Sequence, residues 1–418
     1  MARSPARQRR AALVAVTLGL GAAVAAAQWL RSPGDAATPA PALGKAVRGP
    51  GEKAASQPKT GAPKDSAPAE SAPARDAERP LVVVAGGDVN FGRECGQAIL
   101  ENPRYDPFRF VEPLWRDADV RFVNLESQLS DQKGETQSPR NRLVFTGPPG
   151  GAGVLAQSGI HVVSTANNHA WDYGRSAFLE TLDHLERAGV GNAGSGRTPK
   201  DAYSPAVVRA RGYSAAIFAV THIWNQGRFD DHQGKHYVAW ARPNRMRKAL
   251  ARAKKEHDLV LFSYHGGVEY IDAPVGPTRR FLDAVMKTGF VDAVIGHHPH
   301  VPQGVGWYGS RPVFYSLGNF VFAGHDWAPR TKVGLLARLE LGKNKRLVTR
   351  ACPFSLDGHT PKPIAPADPA SKELRDYLGL ISTSTGGTRV GEPDERGCWE
   401  LSPKARPAAA GDRAATRR

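Results

Sequence analysis

Behind a short apolar run the chain reads VIGHHPHVPQG, residues 294–304, which brings His297, His298 and His300 close together. The chain holds 13 histidines in 418 residues, so a cluster this dense reads as a metal-ligand turn at a strand end more readily than as a polar turn. Other ligand-type side chains fall at comparable places. Asp88 and Asn90 follow LVVVAGG, Asn124 and Glu126 close DVRFVNLE, Asn167, Asn168 and His169 follow GIHVVSTA, and His265 and Glu269 flank HGGVE. Carboxylates, amide oxygens and neutral imidazoles without a thiolate suit a hard or borderline divalent ion, Mn, Fe or Zn, alone or as a pair sharing a carboxylate. Such a pair can clamp an oxyanion and lower the pKa of a bound water, which is the chemistry of hydrolysis or group transfer. Singly, each residue also fits a turn cap, an Asx turn or a solvated carboxylate. Five strands ending in such residues favour convergence.

The elements that must position them alternate. Aliphatic or β-branched runs at 81–88, 119–126, 159–169, 213–221, 258–265, 291–298 and 311–319 read as buried strands. Segments 175–189, 244–257 and 278–289 carry helical periodicity. Strand–helix alternation predicts an α/β domain with at least partly parallel sheets, whose strand carboxyl ends form one rim where ligands bind. Segment 333–342 is expected to be an antiparallel strand completing a second sheet. Arg93, in GDVNFGR, is placed to meet an anionic substrate beside the metal. Gly318-Asn319 reads as a turn that lets backbone approach the site, and Trp171 and Tyr173 read as pocket walls or core.

Outside this region the chain changes character. Residues 1–31 carry five arginines and no acid around the uncharged Ala/Val/Leu run 11–30, the pattern of an export signal or a single membrane anchor. Residues 32–79 are rich in Pro, Ala, Ser, Gly and Lys and predict a disordered tether, and 402–418 a disordered basic tail. The net charge of +16 falls to +7 once 1–31 and 402–418 are set aside. A basic body of that size suits an anionic partner, and no nucleic-acid-binding module is recognisable. Three cysteines exclude a disulfide-dense scaffold, and in an exported protein Cys352 and Cys398 are the expected pair.

Taken in order, GDVNFGR (87–93), NLE (124–126), ANNHAWDYG (166–174), HGGVE (265–269), GHHPHVPQ (296–303) and YSLGNFVF (315–322) resemble the CapA family, associated with bacterial capsule and poly-γ-glutamate synthesis. The family's own resemblance to calcineurin-like metallophosphatases implies a four-layer α/β/β/α sandwich over residues 80–401 with one or two metal ions. It implies Asp88, Glu126, Asn168, His265, His298 and His300 as metal ligands and His169 as the group that stabilises the reacting oxyanion. Asn90 departs from the histidine of the phosphatase motif, Asn-Leu-Glu from its Gly-Asp, and HGGVE lacks the family's tryptophan, which puts one metal position in doubt. The function implied is an exported protein of the cell envelope, membrane-tethered or secreted, that makes, releases or attaches an anionic polymer beside membrane synthase subunits. A periplasmic phosphoesterase without a capsule role and a non-catalytic synthase accessory are the alternatives.

Overall fold

The computed structural model describes residues 79–325 and 327–404. The expected leader, all but the last residue of the expected tether, and the tail beyond residue 404 lie outside the described residues.

The first strand, Leu81–Val89, shows how the layers arise. Its side chains alternate between two faces, and every residue is buried. Val83 and Ala85 enter one core, Val82 and Val84 another, so the strand must be covered on both sides. Among the described residues the strands form a ten-stranded sheet, a six-stranded sheet and a two-stranded ribbon. In the ten-stranded sheet Leu81–Val89 runs parallel to Val120–Leu125, which is followed by Val162–Ser164 and Gly191–Ala193, also parallel. In the six-stranded sheet Tyr213–Thr221, Leu259–His265, Ala293–His297 and Arg311–Phe314 are parallel neighbours.

Three cores hold these sheets. Between them pack Val83, Phe122 and Val162 against Ile217, Leu261 and Ile295. On the outer face of the larger sheet Val82, Val84 and Val123 meet Cys95, Ile99, Leu155 and Leu185 from helices. On the outer face of the smaller sheet Phe218, Val260 and Phe262 meet Met246 and Leu250 of helix Pro243–Glu256 and Leu282 and Val285 of helix Gly276–Lys287. The order is therefore α/β/β/α, as expected. Each fully buried Leu, Val or Phe in these cores contributes roughly 1.5–3 kcal/mol, which sets the stiffness of the strand ends that carry the site.

Two segments differ from their expected placement. Strand Val333–Leu341 is antiparallel, but it lies beside Leu81–Val89 in the ten-stranded sheet instead of completing the second one. Both of its faces are largely buried, with Leu335, Ala337 and Leu339 turned between the sheets and Leu336 and Arg338 on the other face, where Arg338 pairs with Asp117 and Glu340, so it fits a doubly covered position. The run read as one strand over 311–319 divides in two. Arg311–Phe314 belongs to the smaller sheet, and after YSLG the chain crosses over so that Asn319–Val321 pairs with Leu81–Val89 in the larger. Gly318 turns this crossing at φ 77°. A Cβ on Gly87 would stand 1.9 Å from the Gly318 carbonyl oxygen, so the approach of the two segments requires glycine there.

Near the end, strand Trp399–Pro403 pairs with Leu347–Asp357 and Thr388–Pro393, so ordered pairing runs past Leu401, where the tail was expected to begin. Cys352 and Cys398 form the expected disulfide, and Cys95 is free and buried. Among the described residues no helix is long and apolar enough to cross a membrane.

Candidate metal centre

The carboxyl ends of both parallel strand sets bring ligand-type side chains into one buried cluster. Between Ala85 and Asp88 the register with Val120–Leu125 shifts, so the Gly86-Gly87 pair forms a bulge that places Asp88 opposite Asn124. Asn124 then fixes the centre of the cluster. Its Nδ2 donates to Asp88 Oδ1 at 2.9 Å and to Glu126 Oε2 at 3.3 Å, and its Oδ1 accepts from Asn167 Nδ2 at 3.2 Å. Asn167 also donates to the Leu125 carbonyl at 2.8 Å and accepts from the His169 amide at 3.1 Å, tying the third strand end to the second.

From the smaller sheet, His265 Nε2 lies 2.7 Å from Asn168 Oδ1 and 3.7 Å from Glu126 Oε1. His298 and His300 follow strand Ala293–His297 with φ of 94° and 58°. Left-handed backbone at a residue with a Cβ costs on the order of 1–3 kcal/mol and persists where the surroundings hold it. Here the His298 amide donates to Asp88 Oδ2 at 3.1 Å, and His300 Nδ1 pairs with Asn319 Oδ1 at 2.9 Å, which turns His300 Nε2 toward Glu126 Oε1 at 3.8 Å. His297, the first of the cluster, stands behind Asp88 with Nδ1 3.2 Å from Oδ1 and belongs to none of the ligand groupings.

Three groupings place their ligand atoms within 4.8 Å of one another: Glu126, His265 and His298; Asp88, Glu126 and His300; and Glu269, His298 and His300. The residues fit a divalent cation on three counts. Glu126 Oε1 and His298 Nδ1 are buried without a hydrogen-bond partner, an expensive state unless something else satisfies them. Burial, followed by the charges of Asp88 and Glu269, pushes the Glu126 carboxyl well above the usual range, and a cation would reverse that. Burial also lowers the imidazoles, His298 to about 4 and His265 and His300 well below the ordinary value, which leaves them neutral and able to donate a lone pair. At Asp88 burial acts upward, but the contact with His297 outweighs it, and the group is held low.

All six expected ligands thus meet in one place. Asn90, the departure noted in the sequence, accepts from the Gly92 amide at 2.7 Å and serves the turn. Glu269, a ligand-type residue left out of the expected six, comes to His298 and His300. His169 stands at the rim of the cluster, its Nδ1 2.8 Å from Asp172 Oδ2 and its ring stacked on Phe145 at 4.1 Å between centroids. Asp172 was missed although it lies inside ANNHAWDYG, because a carboxylate three residues after a histidine looks like an ordinary helix-start acid.

Arg93 is half-buried, at φ 55°. Its guanidinium donates to the Ala323 carbonyl at 2.7 Å and the Arg142 carbonyl at 3.3 Å, and lies over Phe145 at 4.9 Å. It is a fixed cation beside the site. Trp171 packs in the core against Phe178, and the Tyr173 hydroxyl bonds Glu135. Asn319 acts by holding His300, a role that only the crossing between sheets creates.

A family described as bacterial capsule synthesis protein PGA_cap matches residues 82–324. The PGA biosynthesis protein CapA of Bacillus subtilis (strain 168) is 29% identical over 279 residues, covering 66% of this chain and 72% of its own. The capsule biosynthesis protein CapA of Bacillus anthracis is 27% identical over 322 residues, covering 76% of each chain. Among solved structures, the NAD nucleotidase of Haemophilus influenzae aligns with a TM-score of 0.39 at 12% identity, over 66% of this chain and 56% of that one. The 5'-nucleotidase of Candida albicans SC5314 aligns with a TM-score of 0.38 at 11% identity, over 68% and 54%. The matched stretch carries every ligand-type residue of the buried cluster and more than half of the 418 residues, and the chain belongs to the bacterial capsule synthesis protein PGA_cap family.

Proposed function

We propose that this chain is an exported, envelope-located member of its family that acts on an anionic polymer such as poly-γ-glutamate through a metal-dependent hydrolytic or transfer site. The observation that carries the reading is the buried shell of Asp88, Glu126, Asn168, His265, His298 and His300, in which Glu126 Oε1 and His298 Nδ1 lack protein partners. A divalent ion held there supplies Lewis-acid polarisation of the group being cleaved or transferred. Export rests on the arginine-flanked run 11–30, and the polymer on the relatives' names.

The chain's own residues divide the remaining work. Asp172 fixes the His169 ring by its contact at Nδ1, which leaves Nε2 to hold or pass a proton, and the carboxylate stabilises the ring when it carries charge. Asn225 Oδ1 accepts from Asn168 Nδ2 at 3.4 Å, which keeps the Asn168 oxygen turned toward His265. Burial of the cluster excludes bulk water and strengthens each electrostatic contact. Arg93, held by its contacts with the Ala323 and Arg142 carbonyls, adds positive charge beside the cluster and orients an anionic substrate.

Incubation of the metal-loaded protein with poly-γ-glutamate, followed by sizing of the polymer, tests this. Shortened or transferred polymer that disappears in His169→Ala with metal content unchanged supports the reading. Hydrolysis of an aryl phosphate with the polymer untouched points to a phosphoesterase without a capsule role, and polymer binding without turnover points to an accessory role; either result overturns it.

A further inference from the structure

A second feature lies away from the metal centre and shares no residue with it. Helix Gly276–Lys287 buries Phe281, Leu282, Val285 and Met286 against the smaller sheet. Its opposite stripe, at positions three and four apart, presents Arg279, Arg280, Asp283 and Lys287. That stripe forms one wall of an open groove of about 830 Å³. The other walls are Trp307, Tyr308 and Gly309 at the edge of the smaller sheet, Tyr315 beneath, and Thr385, Gly386, Gly387, Pro403 and Lys404. Part of the groove therefore comes from beyond residue 324, where the family match ends.

The charges in this groove do not balance. Asp283 is its one carboxylate, and it is already engaged by Lys287 at 2.7 Å and by the Tyr308 hydroxyl at 2.8 Å. Arg279, Arg280 and Lys404 make no side-chain hydrogen bond or ion pair among the described residues. Tyr315, only 5% exposed, lines the floor, and its hydroxyl makes no hydrogen bond among the described residues. The volume falls in the range that holds a ligand of many heavy atoms, well beyond a single small anion. Trp307 and Tyr308 add apolar ring faces between the cations.

We propose that this groove is a binding site for a linear polycarboxylate, with Arg279, Arg280 and Lys404 pairing successive carboxylates, the rings of Trp307 and Tyr308 covering the aliphatic spacers, and Tyr315 donating its hydroxyl. Guanidinium groups suit carboxylates because their forked donors bind both oxygens. The assignment rests on the proposed function for the identity of the polymer. It goes further in giving the polymer a holding site separate from the reacting one.

The test uses the full chain and a fluorescent oligo-γ-glutamate of ten residues, read by anisotropy at low and physiological salt. Two further probes are a polyphosphate of equal charge and an oligo-γ-glutamine of equal length. Wild type is expected to bind the oligoglutamate, with affinity falling as salt rises, and oligoglutamine at least tenfold more weakly. Arg279→Ala/Arg280→Ala should weaken oligoglutamate binding tenfold or more and Tyr315→Phe about threefold, with metal content unchanged. His298→Ala should leave oligoglutamate binding in place. Unchanged affinity in the double-arginine variant, loss of all binding in His298→Ala, or tighter binding of polyphosphate than of oligoglutamate each overturns the proposal. The two claims separate cleanly: polymer turnover with intact binding in the arginine variant rejects only the groove, and groove-dependent binding without turnover rejects only the catalytic reading.

Discussion

Asn319 offers a sharp test of how the centre is held, because it contacts the ligand set at one atom. Its Oδ1 meets His300 Nδ1 at 2.9 Å, while its Nδ2 faces His325 Nδ1 at 3.2 Å and the Thr331 carbonyl at 3.4 Å. Its side chain is fully buried, and its Cα pairs in register with Asp88. With Nδ1 of His300 committed to this acceptor, the proton sits there and the lone pair sits on Nε2, facing Glu126. Asn319→Ala removes the acceptor and leaves a buried N–H without a partner, at a cost of about 1–3 kcal/mol. The ring is then free to place its proton on Nε2. Loss of such a supporting hydrogen bond weakens metal affinity by roughly 10–100-fold, which corresponds to about 1.4–2.7 kcal/mol. Calorimetric titration of the chelated protein with Mn²⁺ or Zn²⁺ reads the affinity, and urea unfolding with chelator present reads the metal-free stability. Asn319→Asp keeps the acceptor and is expected to recover most of the affinity. If Asn319→Ala lowers stability but binds metal within about threefold of wild type, the residue is only a packing element and the reasoning about His300 fails.

Other outcomes follow from the same structure. Breaking the Cys352–Cys398 bridge, whose ends are 46 residues apart, is expected to cost up to about 4 kcal/mol by loop entropy, read as a lower urea midpoint in Cys352→Ala/Cys398→Ala; an unchanged midpoint would contradict it. At Asp117 burial acts upward, but the bidentate pairing with buried Arg338 and the charge of Arg396 bring the carboxyl down to about 2. A lowered carboxyl stabilises above its ordinary pKa of about 3.9 and loses that contribution as pH falls through the folded value. Asp117→Asn is therefore expected to be less stable than wild type by about 2–3 kcal/mol near pH 6, with the gap closing between about pH 4 and pH 2; a gap independent of pH would refute the pairing. Asp172→Asn is expected to lower turnover on the polymer at least tenfold while leaving metal content unchanged, since Asp172 touches His169 and no ligand; unchanged turnover would remove His169 from the mechanism.

What could be read from the sequence, and what could not, follows from which contacts are local. Long apolar runs such as YSAAIFAVT announced themselves because both faces of the strand are buried. The edge strand Ala206–Ala210 alternates between half-buried and exposed residues and carries no such signal. The six candidate ligands were legible because each lies at or just past the end of a strand fixed by its own core side chains. The roles of Asn319 and Glu269 were not, since both depend on loops that meet only after the sheets have stacked. The placement of Val333–Leu341 also escaped, because its apolar alternate residues state that it is covered and say nothing of which sheet it joins. The groove beside Gly276–Lys287 escaped, because it exists only once Tyr315 and Lys404 lie opposite that helix.

The most direct measurement is metal content by mass spectrometry of the purified full chain and of His298→Ala/His300→Ala, after loading with Mn, Fe or Zn, with circular dichroism as a check on folding. The expected result is about one or two ions per chain in the wild type and none retained in the folded variant. A wild-type protein that holds no metal after loading, or a variant that holds as much, would contradict the reading of this cluster as a metal centre.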